Sequence, residues 1–218
     1  MQAQFWHDRW EQNQIGFHQQ DFNPHLQTFW DQLSLPEGET VFVPLCGKSR
    51  DMLWLRAQGY PVLGIELSPV AVRDFFAENR LEPRITPQGK FQRWEADGLV
   101  ILHGDFFDLT AADLQTCSAV FDRASLIALP PPMRPDYVRH FHTLFPVRVP
   151  TLLVTLEYDQ TLAKGPPFAV LQEEVRAYYA ADFDIHPLHT LDVSQEMSGL
   201  TRRGVKSLLE QVYLLRPR

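Results

Sequence analysis

The sequence predicts an α/β fold: a doubly wound, mostly parallel sheet with a C-terminal antiparallel strand pair and an N-terminal helical cover. Three observations predict it. Apolar runs of strand length alternate with helical stripes from residue 40 onward, which builds a parallel sheet covered on both faces. Residues 40–69 read as a strand (41–43), a turn (44–47), a helix (49–58) and a second strand (61–65) that ends at an acid, Glu66. Two late strands, residues 183–191 and 208–215, have little helix between them, so they are expected to pair antiparallel. With 218 residues and 44% hydrophobic content, one domain can enclose a sizeable core. Residues 1–36 are assigned to the cover and residues 37–218 to the sheet-based core of that single domain.

The elements follow in order. Residues 4–12 read as a short helix in which Trp6 and Trp10 stand one turn apart and share a face, beside Phe5. Gly16-Phe17-His18 ends that segment in a loop. Asn23 is an N-cap with Pro24 at the first helical position, and Leu26, Phe29, Trp30 and Leu33 carry the apolar stripe of the helix that follows. Leu35-Pro36-Glu37-Gly38 turns into the opening strand. After Glu66, Ser68 caps a helix with Pro69 at its start, and Val72, Phe75, Phe76 and Asn79 form its buried face. Residues 81–90, rich in Pro and Gly, read as a loop. Residues 91–95 and 99–102 flank Ala96-Asp97-Gly98, a hairpin signal. A strand at 118–122, a helix at 134–144, an apolar strand at 151–157, a loop at 159–168 and a helix at 171–179 complete the alternation.

Composition narrows the function. The chain carries 20 Lys and Arg against 27 Asp and Glu, a formal charge of −7, with no basic block or aromatic-interleaved basic stripe. Nucleic-acid affinity rests on clustered cations, so no nucleic-acid partner is expected. No apolar run reaches the ~18 residues of a membrane span, and the first residues lack a secretory pattern. The two cysteines, Cys46 and Cys117, form no disulfide framework and read as small buried thiols. A cytoplasmic protein, monomeric and without a membrane partner, is the expectation.

In an open parallel sheet, ligands bind beyond the carboxyl ends of the strands, where strand order reverses. The residues to inspect are therefore the 44–47 turn with Gly47, Glu66, Asp105 with Phe106, and Asp122 with Arg123. Glu66 lies 19 residues after Gly47, close to the ~20 expected of an acid that accepts from both hydroxyls of a ribose. The alternative is an acid that merely caps the next turn. Asp105 can accept from an exocyclic amine, with an aromatic ring or neighbouring backbone flanking an adenine. A plain Gly-Asp turn is the alternative there. Asp122 and Arg123, adjacent at a strand end, are either an ion pair or point apart, one to the core and one to the pocket.

Gly47-Lys48-Ser49 looks like the end of a phosphate loop, but Phe42 stands where that motif needs a glycine. A dinucleotide site needs three spaced glycines after the strand, and only Gly47 is present. A cofactor with ribose and adenine but no phosphate fits the single-glycine turn, and S-adenosylmethionine is such a cofactor. His140 and His142 do not share a helix face, and no cysteine pair has zinc spacing, so no metal is expected.

The segments Phe5-Trp6 with Trp10, Gly16-Phe17-His18, Val43-Pro44-Leu45-Cys46-Gly47-Lys48-Ser49 with Asp51-Met52, Gly64-Ile65-Glu66, Gly104-Asp105-Phe106, Asp122-Arg123-Ala124 and Gly165-Pro166-Pro167-Phe168 together resemble the thiopurine S-methyltransferase family, in order and over nearly the whole chain. The length and short N-terminus are similar to its bacterial branch. The resemblance implies a seven-stranded, Rossmann-like class I methyltransferase fold that takes S-adenosylmethionine across the carboxyl ends of the strands. It implies methyl transfer by direct displacement to the sulfur of thiopurines and related aromatic or heterocyclic thiols. Another small acceptor (a selenium or tellurium compound) and a non-catalytic cofactor-binding module are the alternatives. Carried over by position, Trp10, Leu45, Glu66 and Arg123 are cofactor-site residues, joined by Trp6, Gly47, Asp105 and Phe106. Phe17 and Arg123 are expected to face the acceptor, with Trp6, Trp10 and Phe17 as a lid. No catalytic base is assigned. Acceptor specificity is expected on the loops 11–22, 129–135 and 159–170.

Overall fold

A computed structural model describes residues 3–195 and 198–218. The chain opens with α1 (Ala3–Glu11) and α2 (Pro24–Phe29), then β1 (Thr40–Val43), α3 (Asp51–Ala57), β2 (Val62–Glu66) and α4 (Pro69–Glu78). A meander of β3 (Arg84–Gln88), β4 (Phe91–Ala96) and β5 (Leu99–His103) follows. Then come β6 (Cys117–Arg123), α5 (Ser125–Ala128), α6 (Arg134–Leu144), β7 (Thr151–Glu157) and α7 (Gln172–Tyr179). The chain closes with β8 (Phe183–Asp192), α8 (Ser198–Thr201) and β9 (Leu209–Pro217).

Among the described residues nine strands form one sheet in the order β3-β4-β5-β2-β1-β6-β7-β9-β8. Strands β5, β2, β1, β6 and β7 run parallel. β9 inserts antiparallel between β7 and β8, so the late strand pair is as expected. Two strands exceed the expected seven because β4 and β3 extend the β5 edge antiparallel. β3 corrects the reading of residues 81–90 as a loop. Its Pro87 lacks a donor, which only an edge strand tolerates. The helix begun at Pro24 also stops earlier than its apolar stripe. Its last turn tightens to a 3-10 turn (Trp30–Leu33) that ends on a left-handed Ser34.

Alternation along the strands splits the core into two layers. Phe42, Leu63, Ile65, Val120 and Leu153 face α6 and α7 through Tyr137, Phe141 and Tyr179. Val41, Val43, Val62, Phe121 and Leu152 face the other way, against Leu26 and Trp30, Met52 and Leu55, and Val72, Phe75 and Phe76. Each fully buried Phe or Leu stabilises the fold by roughly 1.5–3 kcal/mol relative to exposure. Both layers therefore hold the parallel strands firmly, and their carboxyl ends form a fixed rim. The local caps agree with the sequence. The Asn23 side chain accepts from the His25 and Leu26 amides, and Ser68 accepts from the Ala71 amide. Among the described residues no helix is long and apolar enough to cross a membrane.

Candidate active site

The chain leaves β1 toward β2 and β5 on one side and returns to β6 and β7 on the other. The switch point therefore lies between the ends of β1 and β6, and the turns after these two strands face each other there. Leu45 and Gly47 both have positive φ, 44° and 54°, and Ala124 after β6 has φ 72°. Non-glycine residues in this region each cost on the order of 1 kcal/mol, so the surrounding contacts must hold them. They do: the Cys46 amide donates to the Ile65 carbonyl at 2.9 Å. The Ser125 hydroxyl donates to the Pro44 carbonyl at 3.1 Å, joining the two turns. Gly64 on β2 is needed beneath them, since a Cβ there would lie 2.7 Å from the Cys46 sulfur.

Glu66 ends β2 and is 6% exposed. Its Oε2 accepts from the Gly47 amide at 2.8 Å and its Oε1 from the Ser68 amide at 2.7 Å. Burial raises its pKa above the usual carboxylate value, while the Ser68 and Gly47 amides pull the other way. A carboxylate has about four acceptor positions. The Gly47 and Ser68 amides take one position on each oxygen, with the Leu67 amide also close, and the remaining acceptor capacity is what a vicinal diol requires. Lys48 does not face a phosphate site. Its ammonium is buried against Glu78 at 2.6 Å, at the end of α4.

The N-terminal segment covers this turn. Trp10, buried on α1, packs its indole over Gly47, where an added Cβ would lie 3.2 Å from Trp10 Cζ2. Phe17 meets Trp10 edge-on at 5.6 Å and Trp6 at 5.8 Å between ring centroids. Phe17 remains 42% exposed. Beyond α1, the Arg50 guanidinium donates to the Gln20 carbonyl at 2.7 Å and lies over the Phe22 ring. The Asn23 amide donates to Asp51 Oδ1 at 2.7 Å. His18 on this loop is held below its ordinary pKa by burial first and the Lys48 charge second, so its imidazole is neutral at neutral pH.

Asp122 and Arg123 do point apart. The Asp122 carboxylate is buried and accepts from the Tyr137 hydroxyl at 2.8 Å on the core side. Arg123 turns to the rim and donates through Nε to Asp51 Oδ2 at 3.1 Å. Burial pushes the Asp122 pKa from 3.8 up to about 6, against the pull of the Tyr137 hydroxyl. The folded protein therefore holds this proton more tightly than the unfolded chain. Stability is fully present below about pH 4 and falls as pH rises toward about 6, by about 3 kcal/mol from this group. Asp122→Asn is expected to flatten that fall. Urea midpoints at about pH 4.5 and about pH 7.5 check it, and an unchanged pH slope in the variant would contradict it.

Of the residues singled out from sequence, Trp10, Leu45, Gly47, Glu66 and Arg123 converge on the switch point. Trp6 and Phe17 stand over it through their ring contacts with each other and Trp10. Asp105 and Phe106 sit one strand further out, after β5. Asp105 is exposed and accepts from the Phe107 amide at 2.9 Å, capping a 3-10 turn. The Phe106 ring is in the core, stacked on Tyr137 at 4.7 Å, so this residue offers the rim its main chain and not its aromatic face. Asp51 belongs to the Pro44-to-Met52 segment that carries the family resemblance, which assigns it no role. It is 1% exposed and takes donors from Asn23, Ser49 and Arg123. The Ser-x-Asp pair at a helix start is a common pattern and by itself says nothing of these partners.

Known proteins with this architecture and sequence are numerous. The profile described as Thiopurine S-methyltransferase (TPMT) matches residues 1–218. The chain is 51% identical over 215 residues to a thiopurine S-methyltransferase of Pseudomonas aeruginosa, covering 99% of each chain. It is 48% identical over 218 residues to that of Nitrosospira multiformis, covering all of this chain and 99% of the other. Among solved structures, a SAM-dependent methyltransferase from Anabaena variabilis aligns with TM-score 0.64 at 14% identity, over 99% of this chain and 95% of that one. The Burkholderia thailandensis 1,6-didemethyltoxoflavin-N1-methyltransferase, solved with S-adenosylhomocysteine, aligns with TM-score 0.62 at 14% identity, over 98% and 87%. The distant structures share the fold, while the family profile matches the whole chain and relatives of that name are about half identical over nearly its full length, so the chain belongs to the thiopurine S-methyltransferase family.

Proposed function

We propose that this protein transfers the methyl group of S-adenosylmethionine to the sulfur of thiopurines and related aromatic or heterocyclic thiols. The observation that carries the reading is Glu66. Its buried carboxylate closes the single-glycine turn at the switch point and keeps acceptor capacity on both oxygens. That is the chemistry of a ribose site without a phosphate cradle. Family membership and near-full-length relatives named for this activity support the acceptor class.

S-adenosylmethionine, when bound, supplies an activated methyl group and a thioether leaving group. The chain's residues hold and shield. Glu66 takes the ribose hydroxyls. The main chain at Leu45 and Gly47 borders the cofactor, and Trp10 closes over it. Asp105 accepts from the adenine amine, with the Phe106 main chain alongside. Trp6 and Phe17 exclude water on the acceptor side. Arg123 brings a guanidinium to the rim, where it favours the thiolate and orients the heterocycle. An aromatic thiol is already partly ionised near neutral pH, so in-line positioning at ~3–3.5 Å supplies most of the rate without a dedicated base.

The test is incubation with S-adenosylmethionine and a mercaptopurine, followed by mass spectrometry. S-methylated product and S-adenosylhomocysteine in equal amounts are expected. Cofactor binding without product would replace this reading with a binding module or a methyltransferase for a selenium or tellurium acceptor.

A further inference from the structure

Asp51 is the first residue of α3, and its side chain is almost wholly buried. It shares no partner with Glu66, and the proposed chemistry gives it no contact with either reactant. Three donors from three separate stretches of chain meet on it. Oδ1 takes the Asn23 amide at 2.7 Å, where the N-terminal cover joins α2. Oδ2 takes the Ser49 hydroxyl at 3.0 Å and Arg123 Nε at 3.1 Å. Arg123 itself keeps 16% of its side-chain surface exposed while its Nε is held by Asp51.

The structural alternative is a plain helix cap. An acid in the first turn is favourable there, since the helix N-terminus carries partial positive charge. That role needs neither Arg123 nor Asn23. An Arg side chain left free has several rotatable bonds, and fixing it costs rotamer entropy that some contact must offset. A buried carboxylate gripping Nε restricts the side chain at its neck and leaves the two terminal nitrogens outside that bond. A charge-assisted bond between two side chains shielded from solvent is strong enough to do this.

We infer that Asp51 is the positioning residue for Arg123. It sets the guanidinium toward the acceptor and ties that setting to the point where the cover enters the fold. This rests on the reading of Arg123 as the acceptor-facing cation. Its specific consequence is a coupling. Loss of Asp51 acts through Arg123, which the family resemblance places beside both cofactor and acceptor, and leaves the cofactor contacts of Glu66 and Gly47 in place.

The experiment is a double-mutant cycle of Asp51→Asn and Arg123→Gln in the full chain. It reads mercaptopurine KM, kcat, S-adenosylhomocysteine affinity by calorimetry, and Tm. Asp51→Asn keeps the shape and one acceptor for the Asn23 amide, but sets an amide nitrogen against a guanidinium. The expected result is a rise of about tenfold in acceptor KM, with any loss of cofactor affinity no greater than that of Arg123→Gln alone. In the Arg123→Gln background the same substitution should add less than about twofold. Should Asp51→Asn fail to fold, Ser49→Ala loosens the same oxygen, and a KM rise of about twofold or more that vanishes in Arg123→Gln is expected. A penalty undiminished without Arg123 overturns the inference, as does an unchanged KM in Asp51→Asn where Arg123→Gln raises it. An unchanged KM in Arg123→Gln overturns the acceptor reading of Arg123 and the inference with it.

Discussion

Glu66→Gln is expected to weaken S-adenosylmethionine binding by about 30- to 140-fold, or about 2–3 kcal/mol. The substitution is nearly isosteric, so packing around β2 is preserved and the loss is one of hydrogen-bond chemistry. Glu66 Oε2 and Oε1 already accept the Gly47 and Ser68 amides at 2.8 and 2.7 Å. An amide has one acceptor oxygen in place of two. Whichever way it turns, one main-chain amide faces a second donor, and one ribose hydroxyl loses its charged partner. The pH dependence adds a signature that packing damage would lack. Burial holds the Glu66 pKa above its ordinary value. A diol donating to the carboxylate favours the charged form, so binding expels the residual proton. Affinity should therefore fall as pH drops through that raised pKa in the wild type, and stay flat in Glu66→Gln. Calorimetry from about pH 5 to about pH 8 measures both. An affinity that does not change in the variant would remove Glu66 from the cofactor site.

Much of this site is legible in the sequence because its parts follow strands. The end of a strand is set by local pattern, and the sheet then brings the ends of β1, β2 and β6 to one rim. Once 41–43, 61–65 and 118–122 read as strands, Gly47, Glu66 and Arg123 could only lie there. Trp10 was legible differently. Two indoles one turn apart near a chain end need cover, and the turn with a glycine at 47 has room for one. The left-handed Leu45 was not legible, since nothing in a leucine announces positive φ.

The misses have physical reasons too. β3 carries Pro87 and side chains that are mostly exposed, so it shows neither apolar alternation nor clean strand propensity. Pairing with β4 creates it, and the sequence of β3 alone cannot. At Phe106 the sequence leaves ring and backbone open as neighbours of an adenine, and the ring turns inward onto Tyr137, a residue 31 positions away whose helix comes from elsewhere in the fold. Asp51 draws on partners 28, 2 and 72 residues distant. A single sequence records the acid but not the convergence. Position along an element is thus a local property, whereas a side chain's partners are a tertiary one.

Trp10→Ala is expected to weaken cofactor binding at least about tenfold and to lower kcat, with a smaller loss of global stability. Large-to-small changes at well-packed aromatic sites cost about 3–5 kcal/mol when the whole fold pays for them. Here the cost is shared differently. A nine-residue helix such as α1 cannot stand alone and depends on its packing. Trp10 supplies that packing on Gly47, and it also carries the edge-on contact with Phe17. Removing the indole should release α1 and the Phe17 loop as a local unit while the two-layer core stays folded. The cofactor would lose its cover, and water would enter a site whose rate depends on exclusion and alignment. Trp10→Phe, which keeps a ring over Gly47, should recover most of the affinity. Calorimetry gives the affinity, and hydrogen exchange over residues 3–18 reports the cover. Faster exchange in α1 with cofactor affinity within about twofold of wild type would mean that Trp10 only packs the segment, and the cover would then have no part in holding the cofactor.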